Sequence, residues 1–207
     1  MSTIAVIAGG HRPQGQTPRI AKHIAGRLGQ RGHSVNIIDL TTLDLPFWDE
    51  GMWGVQPLAE KWQTLWQPIA KQLEAAEGFV VVSPEYHGIV PAKLINFFLL
   101  CGNGPLLAHK PALAVTDSVG PGGSYPMTEL KGFTSKNNRM AYLPEHLIVR
   151  NNADMFVENP KPEHADANAY MEKRLDWCLT LLEDYIKGFN QIRAAGHTMN
   201  PDYPNGM

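Results

Sequence analysis

The chain has 207 residues, 43% of them hydrophobic and 18% charged, with a formal net charge of -2. That length suits one domain with a substantial core, and the composition is ordinary for a soluble globular protein. No Lys/Arg cluster is dense enough to track a phosphate backbone, which argues against a nucleic-acid partner, and the mild charge argues against a strongly acidic electron shuttle.

Ile4 to Ala8 is a short apolar run that stops at Gly9-Gly10, the pattern of a central parallel strand. The turn-rich stretch from His11 to Thr17 follows. Ile20, Ala21, Ile24, Ala25 and Leu28 then keep helical spacing, with Thr17 as N-cap, Pro18 at the first helical position, and Gly29 and Gly32 closing the helix. Ser34 to Leu40 is the second strand. An aromatic connection, Leu45 to Trp53, covers core or an oligomer interface rather than ligand. A helix over Leu58 to Ala76 carries Trp62, Leu65, Trp66, Ile69, Leu73 and Ala76 on one face, with Pro68 interrupting it.

Gly78 to Val82 is a third strand, buried on both faces, and Ser83-Pro84-Glu85-Tyr86-His87-Gly88 is the loop after it. A helix starts at Pro91, and Gly102-Asn103-Gly104-Pro105 breaks the chain. Ala112 to Asp117 is a fourth strand ending in Ser118-Val119-Gly120-Pro121-Gly122-Gly123. A helix over Tyr125 to Tyr142, a fifth strand over Glu145 to Val149 and a last helix over Ala165 to Phe189 complete the pattern. The tail, 190–207 and above all Gly196 to Met207, reads as loose or ordered only against another subunit. Strands alternating with helices predict an α/β fold, a three-layer, doubly wound, five-stranded parallel sheet within a single domain, 1–207.

Cys101 and Cys178 are far apart and in no metal-binding or CxxC pattern, so free thiols in a reducing cytosol are expected. No basic leader precedes the first strand, and Phe97 to Cys101 is far too short to span a membrane. The expectation is a cytoplasmic chain.

In a sheet of order 2-1-3-4-5 the loops after strands one, three and four converge on the switch point between strands one and three. The first suits a phosphate: unpaired N–H groups at the helix start favour an anion, Arg12 adds a charge-assisted contact, and Gln16 and Thr17 offer further donors. The loop is neither GxGxxG nor a P-loop.

These loops carry a resemblance to the NADPH-dependent FMN reductases of flavodoxin-like fold, a family that includes quinone, azo-dye and chromate reductases. Its G-S-x-R-x-x-S motif is matched by Gly9-Gly10-His11-Arg12-Pro13-Gln14-Gly15, with glycine at both serine positions. Its S-P-E-Y-N-G motif, followed by P-G-x-L-K-N, is matched by Ser83 to Gly88 and Pro91 to Asn96, with His87 for asparagine and Ile95 for lysine. Its S-x-G-x-x-G-G motif has a shortened match in Ser118 to Gly123. The resemblance implies FMN as cofactor and NADPH or NADH as co-substrate. It implies binding through Gly10, Arg12, Gln16 and Thr17 in the first loop, through Pro84, Glu85, Tyr86, His87 and Gly88 at the flavin ring, and through Ser118, Gly120, Gly122 and Gly123 at its other edge. The hydride chemistry would belong to the cofactor, with no catalytic side chain and no metal. The expected partners are a small-molecule electron acceptor and further copies of the chain, as a homodimer or homotetramer, with the tryptophans at 48, 53, 62 and 66 suited to that interface.

Individual residues leave alternatives. Tyr86 packs beside the flavin or nicotinamide, or simply covers the sheet edge. His87 borders the mouth of the site or is solvated. Glu85 caps or pairs locally, Asp117 is a turn-former and Ser118 a donor, Asn96 braces the loop that begins at Pro84, and Cys101 is a packed thiol. Two rival functions stay open: a flavodoxin-type electron carrier, and a degenerate binding module without flavin.

Overall fold

A computed structural model of the chain describes residues 1–52, 60–102 and 104–204. Five parallel strands are hydrogen-bonded in the order β2-β1-β3-β4-β5: β1 (Thr3–Ala8), β2 (Ser34–Asp39), β3 (Gly78–Pro84), β4 (Pro111–Asp117) and β5 (Ala141–Val149). All seven residues of β3 and of β4 are buried. That is why both are near-continuous apolar runs, as strands covered on two faces must be.

Side chains alternate across the sheet. Ile4, Val6 and Ala8 of β1, with Val80 and Val82 of β3, pack beneath α1 (Thr17–Gln30) and α6 (Ala165–Ala194). Ala5 and Ile7, with Phe79 and Val81, face α2 (Glu60–Leu65), α3 (Gln67–Ala75), α4 (Ala92–Cys101) and α5 (Ser124–Lys136). The three-layer, doubly wound architecture expected from the sequence is the one found.

Several boundaries differ from expectation, each for a physical reason. The helix read from Leu58 begins at Glu60 within the described residues and splits at Trp66, because Pro68 lies in the first turn of α3 and has no N–H to donate. Leu58 itself lies outside the described residues, as do Trp53 and Asn103. Trp62 and Trp66 are buried, so they belong to the core beneath the sheet and not to an interface; Leu65, on the other side of the helix, is 41% exposed.

The helix expected to reach Tyr142 stops at Lys136. Asn138 turns away to donate to the carbonyls of Phe98 and Gly102 (3.0 and 2.9 Å), closing the end of α4, and Arg139 adopts a positive φ. β5 consequently starts four residues earlier than Glu145. Between Ala112 and Ala114 of β4, β5 advances from Tyr142 to His146. This irregularity accommodates Pro144, and Lys131 Nζ binds the carbonyls of Leu143 and Pro144. α6 runs on to Ala194. The tail is held by its own chain: Arg139 Nη2 donates to the carbonyls of Tyr203 (3.0 Å) and Pro204 (2.7 Å). Residues 205–207 lie outside the described residues. Among the described residues no helix is long and apolar enough to cross a membrane.

Candidate functional site

The carboxyl ends of β1, β3 and β4 sit side by side, and the loops that leave them line one cavity of about 200 Å³. Arg12, Gln16 and Thr17 come from the first loop and the start of α1; Pro84, Glu85 and Tyr86 follow β3; Ser118 and Val119 follow β4. Asn152 and Ala153, after β5, complete the wall. Neither residue is among the candidates the sequence offers, although the pair Asn151-Asn152 at a strand's carboxyl end is a turn signal like those of the other loops.

Arg12 is exposed and has no ion-pair partner among the described residues. The first turn of α1 has Gln16 at its cap position, with no side-chain cap. Thr17, expected to be that cap, instead donates its hydroxyl proton to Asp117 Oδ2 at 2.8 Å. A buried carboxylate is the stronger partner for it. Thr17 therefore offers the cavity its backbone N–H rather than a hydroxyl proton. Gln16 Oε1 accepts from Arg19 Nε at 2.6 Å, and the rest of the Arg19 guanidinium binds the carbonyls of Asn152, Met155 and Phe156. Arg19 thus ties the start of α1 to the loop after β5.

Asp117 is more than a turn-former. Its two oxygens accept from Thr17 and from Asn152 Nδ2 (2.6 Å), joining the strand tip to both neighbouring loops. Burial pushes its carboxyl up from the ordinary value, while the bonds from Thr17 and Asn152 and the charge of Arg19 pull it back down.

The loop after β3 is a two-residue hairpin. Tyr86 and Ile89 exchange both backbone hydrogen bonds (3.1 Å each) around His87 and Gly88, whose φ angles are 54° and 81°. Two positive φ angles define the turn that Asn-Gly ordinarily makes. Histidine is among the residues that enter the left-handed region most readily, so the backbone accounts for His87 at this position. Tyr86 lies edge-on to His11, with centroids 4.9 Å apart. Burial raises its phenol above the ordinary value, against the backbone of His11 and Arg12 and the charge of Arg12.

Glu85 pairs across to the loop after β4 and not locally. Its carboxylate accepts from the Gly123 N–H and lies against Gly122, where a Cβ would come within 2.5 Å of Oε1. Gly123 has φ 101°, and its carbonyl accepts from Thr116 Oγ1 at 2.7 Å. The loops after β3 and β4 are latched together. Gly10 sits behind the cavity wall, between Thr17 and Pro84, and Gly120 stands in open space. Asn96 does not brace the Pro84 loop: it donates to the Pro46 carbonyl (3.0 Å) and accepts from the Trp48 N–H (2.8 Å), holding the aromatic connection after β2.

The sequence profile of the family described as NADPH-dependent FMN reductase matches residues 2–154. The chain belongs to this family. No curated protein matches it in sequence. Among solved structures it resembles an oxidoreductase from Corynebacterium diphtheriae, at 21% identity and a TM-score of 0.66 over 91% of this chain and 98% of that one. FerB, a flavoenzyme NAD(P)H:(acceptor) oxidoreductase from Paracoccus denitrificans, is 18% identical with a TM-score of 0.63 over 91% and 99%. Flavodoxin 1 from Bacillus cereus is also 18% identical, with a TM-score of 0.52 over 90% and 98%. At such identities the likeness is one of fold, here flavodoxin-like.

Within this chain the departures from the family motifs have local explanations. At Gly15, whose N–H donates to the Arg12 carbonyl at 2.9 Å, a Cβ would sit 3.1 Å from that oxygen. At Gly10 a Cβ would press on Thr17 Oγ1 at 3.3 Å. Ile95, in place of lysine, packs against the core. A larger cavity of about 520 Å³ lies between α4 and α5, walled by Trp48, Ile95, Phe98, Leu99 and Phe133. None of the glycine loops reaches it, so the smaller cavity at the strand tips is the candidate cofactor site. One guanidinium, helix-start donors and a floor of hydrogen-bonding side chains fit a phosphate joined to a hydroxylated chain. Among the described residues no three His, Cys, Asp or Glu side chains group as a metal site would require.

Proposed function

We propose that the chain is an NAD(P)H-dependent FMN oxidoreductase whose acceptor is a quinone, azo compound, free flavin or similar small molecule. The observation that carries this reading is the meeting of the loops after β1, β3 and β4 on one cavity beside a guanidinium that has no ion-pair partner among the described residues. Arg12 and the Thr17 N–H would hold the phosphate. The cavity, at about 200 Å³, is smaller than the roughly 300–1,000 Å³ usual for an entire ligand. The phosphate and its polyol chain therefore suit its interior and the flavin ring its rim, formed by Pro84 to Gly88 on one side and Ser118 to Gly123 on the other. Bound FMN would accept hydride from the nicotinamide and return two electrons to the acceptor.

The protein's part is to position. The Glu85–Gly123 latch fixes the two rim loops relative to each other, Gly122 makes room for the Glu85 carboxylate, Gly120 keeps the backbone bare for close approach, and Tyr86 against His11 walls the side nearest the phosphate. No side chain is required as an acid or base for hydride transfer, so orientation at near-attack distance supplies the rate. One rim serves both substrates, so oxidised nicotinamide leaves before the acceptor enters and the kinetics are ping-pong. Ile89, Val119 and Tyr125, in or beside the loops after β3 and β4 and all more than half exposed, favour a homodimer or homotetramer. The whole chain acts as a single FMN-binding domain in the cytoplasm.

The test is an absorbance spectrum of FMN-loaded protein before and after NADPH, followed by NADPH and NADH oxidation with menadione. Bleaching by either coenzyme and turnover with menadione are expected. Flavin-loaded protein that oxidises neither coenzyme would be an electron carrier. A protein that takes up no FMN would end the reading.

A further inference from the structure

A second cavity, of about 450 Å³, is lined by Ile148, which packs on the α5 side of the sheet, and by residues of α6, on the other side. It therefore runs round the open edge of β5, the last strand in the order. Arg150, just past β5, and Arg174 of α6 both line it. Neither guanidinium forms an ion pair among the described residues, and no Asp or Glu lines the cavity. Their partners are neutral. Arg150 donates to the Pro121 carbonyl (2.7 Å) and to Ser124 Oγ (3.2 Å); Arg174 donates to the His146 carbonyl (3.3 and 3.4 Å) and lies over the Trp177 ring. The strand adds a donor: the Val149 carbonyl accepts from Ser118 on the β4 side, so the Ile148 N–H points away from β4, along the open edge. Met155 and Met171, both buried, and Ile148 make the lining apolar, and Tyr170, 60% exposed, adds an aromatic ring.

These features select a ligand class. Two positive charges without a carboxylate match a phosphate monoester, which carries about -1.5 to -2, whereas a carboxylate brings a single charge for both guanidiniums. Thioethers and a ring suit a flat, weakly polar body, and the volume is that of a small-molecule site. We propose that this cavity binds a nucleoside phosphate, its monoester held by Arg150 and Arg174 and its base against the methionines. Two sources share that chemistry: a free nucleotide, and the adenosine 2′-phosphate end of NADPH. The second rests on the oxidoreductase reading above. Arg150 bonds the rim loop at Pro121, so a coenzyme with its nicotinamide at the rim reaches the cavity by crossing that loop, and NADH, without the monoester, would lose the contact.

Calorimetric titration with adenosine 2′-monophosphate, adenosine and inorganic phosphate tests the site, and needs no FMN. The monoester is expected to bind the wild type about tenfold or more tightly than either of its parts. Arg174→Gln should erase most of that margin. So should Ala167→Glu, which removes no contact and sets a carboxylate at an exposed lining position. Binding no tighter than adenosine, or no tighter than inorganic phosphate, overturns the proposal, as does a margin that both variants keep. Steady-state oxidation of NADPH and NADH by FMN-loaded protein then names the source. A KM for NADPH raised about tenfold in Arg174→Gln, with the KM for NADH and both kcat values unchanged, assigns the cavity to the coenzyme. Unchanged KM values beside weakened monoester binding assign it to a free nucleotide. A protein that takes up no FMN ends the coenzyme arm alone, and the titration still decides the site.

Discussion

The two edges of the sheet are built to opposite ends. At the amino edge the protein pairs its own polar groups. Thr3 N donates to Glu77 Oε1 (3.0 Å) and Asn190 Nδ2 to Glu77 Oε2 (2.7 Å), while Arg193 holds the His109 carbonyl (2.8 Å). Lys110 Nζ, almost wholly buried, caps the end of α3 through the carbonyls of Leu73 and Glu74, 2.9 Å each. At the carboxyl edge Arg12 stands exposed and without an ion-pair partner among the described residues, and Ile89 and Val119 of the loops after β3 and β4 are exposed. One edge is closed by internal partners and the other is left open for an external one. Titration and mutation at the first should therefore move stability alone, while the second should trade stability against binding.

The largest effect is expected at the closed edge. Burial, and then repulsion from Arg193, lowers the Lys110 ammonium from 10.5 to about 8. A depressed lysine means the unfolded chain binds the extra proton between those values, so stability from this group rises as pH climbs from 8 to 10.5. At about 1.4 kcal/mol per pH unit, the change reaches roughly 3 kcal/mol over that interval. The thiols of Cys101 and Cys178, both raised by burial, pull the other way in that range. The clean measurement is therefore a difference. Relative to Lys110→Met, wild-type stability in urea should climb by up to that amount between pH 8 and 10.5. A difference independent of pH would show that the amino edge stores no such charge.

Next comes Gly123→Ala, which strikes the latch at the open edge. Its φ of 101° is strained for any side chain, and a Cβ would lie 2.7 Å from Ile148 Cγ2. A loss of about 2 kcal/mol in urea unfolding is expected, together with weaker FMN binding as the Glu85 contact shifts. Gly120→Ala is the control, with open space around it, and should stay within about 0.5 kcal/mol of wild type.

Arg12→Ala should do the reverse. Loss of a charge-assisted contact of about 2 kcal/mol weakens FMN binding about thirtyfold, with an unchanged urea midpoint. A shifted midpoint with intact binding would mean that the guanidinium serves the fold, and the contrast between edges would collapse.

How much of this was legible beforehand follows from the range of the forces involved. β3 and β4 announced themselves because a strand covered on both faces has almost no polar positions, and the alternation with helices made the sheet parallel, while its order came with the resemblance to a flavodoxin-like family. The loop from Ser83 to Gly88 was equally plain, since its hairpin demands residues tolerant of positive φ. Hydrogen bonds between distant segments were not legible. Thr17 reads locally as a cap, and only the fold brings Asp117, a hundred residues on, within 2.8 Å of it. Trp62 and Trp66 look like interface residues by their chemistry, and only packing against the sheet makes them core. Asn137, Asn138 and Arg139 hide a helix end because Asn138's partners lie on α4. Asn152 was missed because its strand tip carries no glycine.

Asn96 offers the smallest and most discriminating effect. Its amide binds both the Pro46 carbonyl and the Trp48 N–H, joining α4 to the connection after β2. That connection borders the open edge without lining the cavity at the strand tips. Asn96→Ala removes two hydrogen bonds to a partly exposed backbone, and should cost about 1 kcal/mol. If the open edge divides into groups that bind and groups that brace, the loss will appear as faster amide exchange at Trp48 while FMN affinity stays unchanged. Should FMN affinity fall with it, the wall around Trp48 belongs to the site, and the rim proposed for the ring must extend beyond the loops after β3 and β4.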